Sequence, residues 1–157
     1  MEHKGVLCDT SFFIRLLDKN DSLHNNAKDY YRYFLEHEYT LLISTIAIAE
    51  YCVCDDFDNL PLKDVQIIPF NLNHAQRTGQ FAKIAFYAKN TGSLDVKERK
   101  LIPNDTKMFA QADCENIVSY YLSSDTESLK IYKLLNPHFQ FIDISTPYFQ
   151  TFGLLDW

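Results

Sequence analysis

Apolar positions along the chain fall into short unbroken runs and longer spaced stripes, and the two kinds alternate. The run GVLCD (5–9) is brief and continuous, which predicts a buried strand ending on a carboxylate. SFFIRLL (11–17) follows as a short helix capped by Thr10 or Ser11. In SLHNNAKDYYRYFLEHE (22–38), Leu23, Ala27, Tyr30, Tyr31 and Phe34 recur at helical spacing and define one buried face. TLLIS (40–44) is a second strand. TIAIAEYCVC (45–54) has helical length and alanine content, although Ile46, Ile48 and Val53 also suit a strand. VQIIPF (65–70) is a third strand, before a helix from His74 to about Lys89 with Asn73 as its cap.

Thr91-Gly92-Ser93 breaks the pattern, and SLDVKERK is a charged connection. Beyond it the spacing predicts a helix from Pro103 to about Asn116, a strand IVSYYLS (117–123), a helix TESLKIYKLL and a last strand HFQFIDI (138–144). Strands separated by helices pair in parallel through right-handed crossovers. The expected fold is an α/β class, three-layer α/β/α sandwich with a mainly parallel central sheet, and 157 residues suit one domain spanning 1–157.

Composition narrows the function. The formal charge of −6 argues against broad, charge-driven coating of nucleic acid but leaves room for a local site. Cys8, Cys52, Cys54 and Cys114 lack paired zinc-site spacing, and Cys8 and Cys114 fall in segments that read as core, which suits a reducing cytoplasm. No export signal or membrane-length apolar run is present in the sequence, so a soluble cytoplasmic protein with no membrane association is expected. Twelve Phe and ten Tyr imply an aromatic core and a surface suited to a homodimer. Asp55, Asp56 and Asp58 read as a solvated loop, and Tyr30, Tyr31, Tyr33 and Phe34 as core or interface.

Four carboxylates stand out by position. Asp9 ends the first strand and Asp125 follows the fourth, so a parallel sheet places both on the edge where ligands bind. Asp105 begins a helix, and Glu50 has Ile46, Ala47 and Val53 as helical neighbours. Each has a structural alternative: caps for Asp9 and Asp105, a first-turn acid behind Ser124 for Asp125, and a solvent-facing or Arg15-paired role for Glu50. Gathered together, such groups repel unless a cation intervenes, and oxygen-only donors suit Mg²⁺ or Mn²⁺ with water completing the shell. The chemistry this suggests is phosphodiester hydrolysis.

These segments carry a family resemblance. LCDTSFFIRLL resembles the opening strand, acid, hydroxyl and helix of PIN-domain nucleases, and STIAIAEYCV the helix bearing their second acid. NDTKMFAQAD resembles the acid at a helix start followed by an alanine-rich turn, and LSSD the strand end with a hydroxyl two residues before the last acid. With the closing strand FQFIDI, the resemblance covers nearly the whole chain. It implies a PIN-domain ribonuclease, a metal-dependent endoribonuclease of the VapC-like toxin type, acting on RNA with Mg²⁺ or Mn²⁺ and partnered by an antitoxin protein. Asp9, Glu50, Asp105 and Asp125 would form the catalytic and metal-binding quartet, with Thr10, Ser11 and Ser123 as orienting hydroxyls. Arg15, Lys97, Arg99, Lys100 and Lys107 are the candidates for RNA contact. Two departures are visible: the stretch from Asp105 to Asp125 is longer than the family's, and Asp113 and Asp143 add acids nearby. Two other functions compete. A phosphohydrolase with Asp9 as nucleophile usually needs a second acid at position 11, where this chain has Ser11. A catalytically inactive PIN-like module would bind RNA or protein and leave the quartet idle.

Overall fold

The structure is a computed structural model and describes residues 4–96 and 101–154. Five strands, β1 (Gly5–Cys8), β2 (Thr40–Ser44), β3 (Val65–Ile68), β4 (Val118–Ser123) and β5 (Gln140–Asp143), form one sheet in the order β3-β2-β1-β4-β5. Every pairing is parallel. The helices are α1 (Thr10–Leu17), α2 (His24–Glu36), α3 (Thr45–Cys54), α4 (Leu72–Asn90), α5 (Leu101–Cys114), α6 (Thr126–Leu135) and α7 (Tyr148–Thr151).

The helices pack in two groups, α1 with α2, α3 and α7, and α4 with α5 and α6. Strand alternation explains the division. Tyr120 of β4 meets Phe34 of α2 and Phe152 beyond α7, whereas its neighbour Tyr121 meets Phe109 of α5. The sandwich predicted from the alternating runs is therefore present.

Chain order sets the position of the site. From β1 the sheet grows outward to β2 and β3, then the chain returns and adds β4 and β5 on the other side of β1. The connections leaving β1 and β4 thus run to opposite faces, opening a crevice at their carboxyl ends. Cys8 pairs with Leu122, and the Asp9 N–H donates to the Leu122 carbonyl at 2.9 Å, so the two strand ends are held side by side.

Several caps differ from expectation. Asp9 caps α1, because the Thr10 hydroxyl is engaged by Glu50 and that of Ser11 by Asp9 itself. Asn71, not Asn73, caps α4; its N–H donates to the buried His74 ring at 2.8 Å, which pulls the helix start two residues earlier. Asp125, not Ser124, caps α6. The 3₁₀ turn Phe57–Asn59 and the four-residue α7 were not anticipated, since neither is long enough to develop a period. Cys8 is buried as expected, but Cys114 is only half-buried at the end of α5. Tyr30 and Phe34 are core, and Asp55, Asp56 and Asp58 are exposed. Among the described residues no helix is long and apolar enough to cross a membrane.

Gly5 begins the central strand where the register against β4 slips: Gly5 pairs with Val118, but Val6 pairs with Tyr120. A Cβ at position 5 would lie 2.8 Å from the Ile117 carbonyl oxygen, a backbone atom that cannot swing aside. Gly5→Ala is expected to destabilise the protein by about 1–3 kcal/mol, measured by denaturant unfolding. An unchanged midpoint would show that the β1–β4 junction relaxes freely.

Candidate functional site

A cleft of about 280 Å³ opens over the β1–β4 crevice, lined by Asp9, Thr10, Ser11, Ile14, Glu50, Asn104, Asp105, Met108, Tyr121 and Asp125. All four carboxylates singled out from the sequence line it, contributed by the β1–α1 junction, α3, α5 and the β4–α6 junction.

Asp9 is the most heavily held. Its Oδ1 accepts the Thr10 N–H at 2.8 Å, and its Oδ2 accepts the hydroxyls of Ser11 and Ser123, each at 2.9 Å. Those hydroxyls accept in turn, Ser11 from the Ser124 N–H and Ser123 from the Asp125 N–H, each at 3.0 Å. Each hydroxyl thus accepts an amide and donates to Asp9, and the two hydroxyl oxygens lie 3.2 Å apart. The carboxyl is nonetheless raised above its ordinary range: burial dominates, the two serines oppose it, and the Glu50 charge adds to it.

Glu50 is exposed, and its Oε2 accepts the Thr10 hydroxyl at 2.6 Å. The apolar surroundings expected for it are only partly realised, because Val53 is 84 % exposed and only Ala47 of its helical neighbours is buried. Arg15 does not pair with it; the guanidinium bonds Asp21 at 2.7 Å and reaches toward the Ser124 hydroxyl at 3.4 Å.

Asp105 lies in the second turn of α5, inside the helix and not at its cap. Burial first, then the Asp125 charge, with smaller contributions from Asp9 and Glu50, push its carboxyl up to about 7 against a hydrogen bond from Ser128. Its Oδ2 is buried without a hydrogen-bond partner. Asp125 caps α6, its Oδ1 accepting the Glu127 N–H at 2.9 Å and its Oδ2 the Ser128 hydroxyl at 3.1 Å. The capping alternative thus holds for Asp9 and fails for Asp105, while Asp125 is itself the cap of α6 and not a first-turn acid behind Ser124; Asp9 and Asp125 also face the cleft.

The other candidates separate cleanly. Asp113 pairs with Arg77 and His138, and Asp143 receives the Ser145 hydroxyl; neither lines the cleft. Lys107 lies half-buried on α5, two residues past Asp105, while Lys97, Arg99 and Lys100 fall outside the described residues. Sequence reasoning missed Asn104 and Tyr121. Counting back two residues from Ser123 along β4 would have found Tyr121, since alternate strand residues share a face. Its buried phenol is raised well above its ordinary value, by burial first and then by the charges of Asp9, Asp105 and Glu50.

Among the described residues, no three His, Cys, Asp or Glu groups close into a ready metal cage. The donor set still fits a hard divalent ion that keeps several waters: carboxylate and hydroxyl oxygens only, accumulated negative charge, and one orphaned buried oxygen on Asp105.

No family model matches this sequence, and no curated protein matches it. Solved structures do. The chain is similar to the VapC20 toxin of Mycobacterium tuberculosis, described as cleaving the sarcin-ricin loop, at 13% identity with a TM-score of 0.53, covering 79% of this chain and 92% of that one. It is also similar to a chain of the DNA-bound VapBC complex of Salmonella typhimurium, at 14% identity and TM-score 0.54, covering 90% and 98%. This chain has a PIN-like fold. VapBC-1 of nontypeable Haemophilus influenzae shares that PIN-like fold, at 12% identity and TM-score 0.55, covering 90% and 99%.

Burial and crowding of the Asp105 carboxyl make stability depend on pH with an unusual sign. Because the Asp105 carboxyl titrates near 7 when folded and near 3.8 in its ordinary state, the folded protein holds a proton through that window that the unfolded chain has released. Its contribution is full below about pH 4 and is lost as pH rises through 7. In EDTA, Asp105→Asn is expected to gain about 2–4 kcal/mol on the parent between pH 4.5 and pH 7.5, measured by denaturant unfolding at both pH values. An Asn variant that tracks the parent at both would refute the raised carboxyl of Asp105.

Proposed function

We propose that this protein is a metal-dependent endoribonuclease that hydrolyses RNA phosphodiester bonds, and that it is the toxin of a type II toxin–antitoxin pair. The observation that carries the reading is the meeting of Asp9, Glu50, Asp105 and Asp125 around one cleft at the switch point of a PIN-like sheet. The likeness to VapC structures supports it.

Asp9, Glu50 and Asp105 would hold Mg²⁺ or Mn²⁺, directly or through water. When bound, such an ion lowers the pKa of a coordinated water and stabilises charge developing on a phosphate. The chain's own residues prepare that chemistry. Ser11, Ser123 and the Thr10 N–H fix the Asp9 carboxylate, and the Thr10 hydroxyl fixes Glu50. Asp125, anchored at both oxygens by the start of α6, keeps a lone pair that can accept a proton from the attacking water. Arg15 stands beside Ser124 at the same strand end, with guanidinium N–H groups beyond those bonded to Asp21 and Ser124 to meet a phosphate.

An antitoxin is the expected protein partner, as in the VapBC complexes among the similar structures. A groove between α1 and α3, lined by Ile14, Leu17, Asp18, Tyr51, Cys54 and Asp55, adjoins the cleft through Ile14. Its apolar floor and two carboxylates suit a basic, partly apolar segment of such a partner. A homodimer and a cytoplasmic setting belong to the same reading.

Purified protein incubated with total cellular RNA is expected to give discrete products with Mg²⁺ or Mn²⁺ and none with EDTA. Asp9→Asn, folded by circular dichroism, is expected to give none in any condition. A folded mutant that cleaves at the parent rate would refute the assignment, and an inert parent that still binds RNA would favour the non-catalytic module. In metal-free binding of single-stranded RNA, Arg15→Gln is expected to reduce the slope of log affinity against log salt by about 0.7, the share of one phosphate contact. An unchanged slope would remove Arg15 from the RNA path.

A further inference from the structure

We propose that Tyr121 is a positioning residue of the acidic cleft, whose hydroxyl steadies the Asp9 carboxylate in the orientation that receives a divalent cation. This role rests on the metal-dependent reading above and adds to it a residue from the middle of a strand.

The surroundings of the ring make the hydroxyl conspicuous. Tyr121 is 2 % exposed, with Phe109 edge-on at 5.0 Å and Phe141 and Phe139 at 5.6 and 5.9 Å. Those neighbours would pack as well on a phenylalanine. A buried phenol is costly unless its O–H finds an acceptor, and the carboxylates that line the same cleft are the acceptors at hand. Strand geometry brings them together. Tyr121 shares its face of β4 with Ser123, whose hydroxyl bonds Asp9, and its register partner Leu7 lies two residues before Asp9.

The chemistry suits orientation. A phenol is a neutral donor at pH 7, so it can bond a carboxylate without competing as a cation for the metal's place. Asp9 already receives one backbone and two serine donors from the helix and strand ends. In the proposed role Tyr121 would add a donor from its strand, on a ring held by aromatic packing. Outer groups that orient a metal's carboxylate ligands govern its affinity.

The test is calorimetric titration of the metal-free full chain with Mn²⁺ alone, comparing the parent with Tyr121→Phe and Tyr120→Phe, with thermal unfolding in EDTA measured in parallel. Tyr121→Phe is expected to bind Mn²⁺ about tenfold more weakly while unfolding at or above the parent temperature. Tyr120→Phe, which removes a hydroxyl from the opposite face, is expected to leave Mn²⁺ affinity unchanged. A folded Tyr121→Phe within about twofold of the parent would overturn the positioning role and leave the metal-dependent reading standing. Equal losses in both variants would overturn it as a packing effect. A parent that binds no Mn²⁺ would overturn the metal-dependent reading and this role together.

Discussion

Mutual repulsion among four carboxylates is the constraint around which the rest of this molecule is arranged. Asp9, Glu50, Asp105 and Asp125 come from four separate elements and face one cleft. Burial first and then their mutual charge raise the carboxyls of Asp9 and Asp105, which costs folding energy. A fold that tolerates this must hold each group by bonds that do not neutralise it. Backbone amides and hydroxyls serve that purpose, because they stabilise negative charge without adding a formal positive one.

Two helix caps carry much of this arrangement. Asp9 opens α1 and Asp125 opens α6, so each carboxylate is fixed by the helix it begins and presented at the sheet edge by the strand before it. Stability and site geometry here share the same hydrogen bonds. Ser11 and Ser123 join the two caps: each hydroxyl donates to Asp9 and accepts an amide of the β4–α6 turn. Movement of one strand end therefore disturbs both acids.

The aromatic richness of the chain has two outcomes on the two faces of the sheet. Around α2 and α7, rings of Tyr30, Tyr33, Phe34, Tyr120 and Phe152 pack on one another and close that side of the core. On the other face Phe109, Phe139 and Phe141 pack around the ring of Tyr121, and of these four Tyr121 lines the cleft.

Much of the fold was legible from local patterns, because strand runs and helical stripes report burial directly: β2 and α6 lie where their periodicity placed them. The four acids were legible for the same reason, since a carboxylate at the end of a buried strand or on the first turns of a helix has a predictable edge of the sheet. The residues Lys97, Arg99 and Lys100 lie outside the described structure, so their part in RNA contact stands as a sequence expectation. Caps were misassigned where a side chain's partner lies far along the chain. Thr10 looks like a cap until Glu50, forty residues on, takes its hydroxyl; Asn73 was instead displaced by a local bond, from the Asn71 N–H to the His74 ring three residues on. Tyr121 was invisible as a site residue because an aromatic in a buried strand looks the same whether or not its hydroxyl has a use. The sequence by itself determined the main strands and helices, their parallel pairing and which acids stand at strand ends and on helix starts, all consequences of local periodicity. Only the tertiary structure decided which groups meet. Convergence depends on register and strand order, which bring residues a hundred positions apart within hydrogen-bonding distance and leave Asp113 and Asp143 outside the cleft.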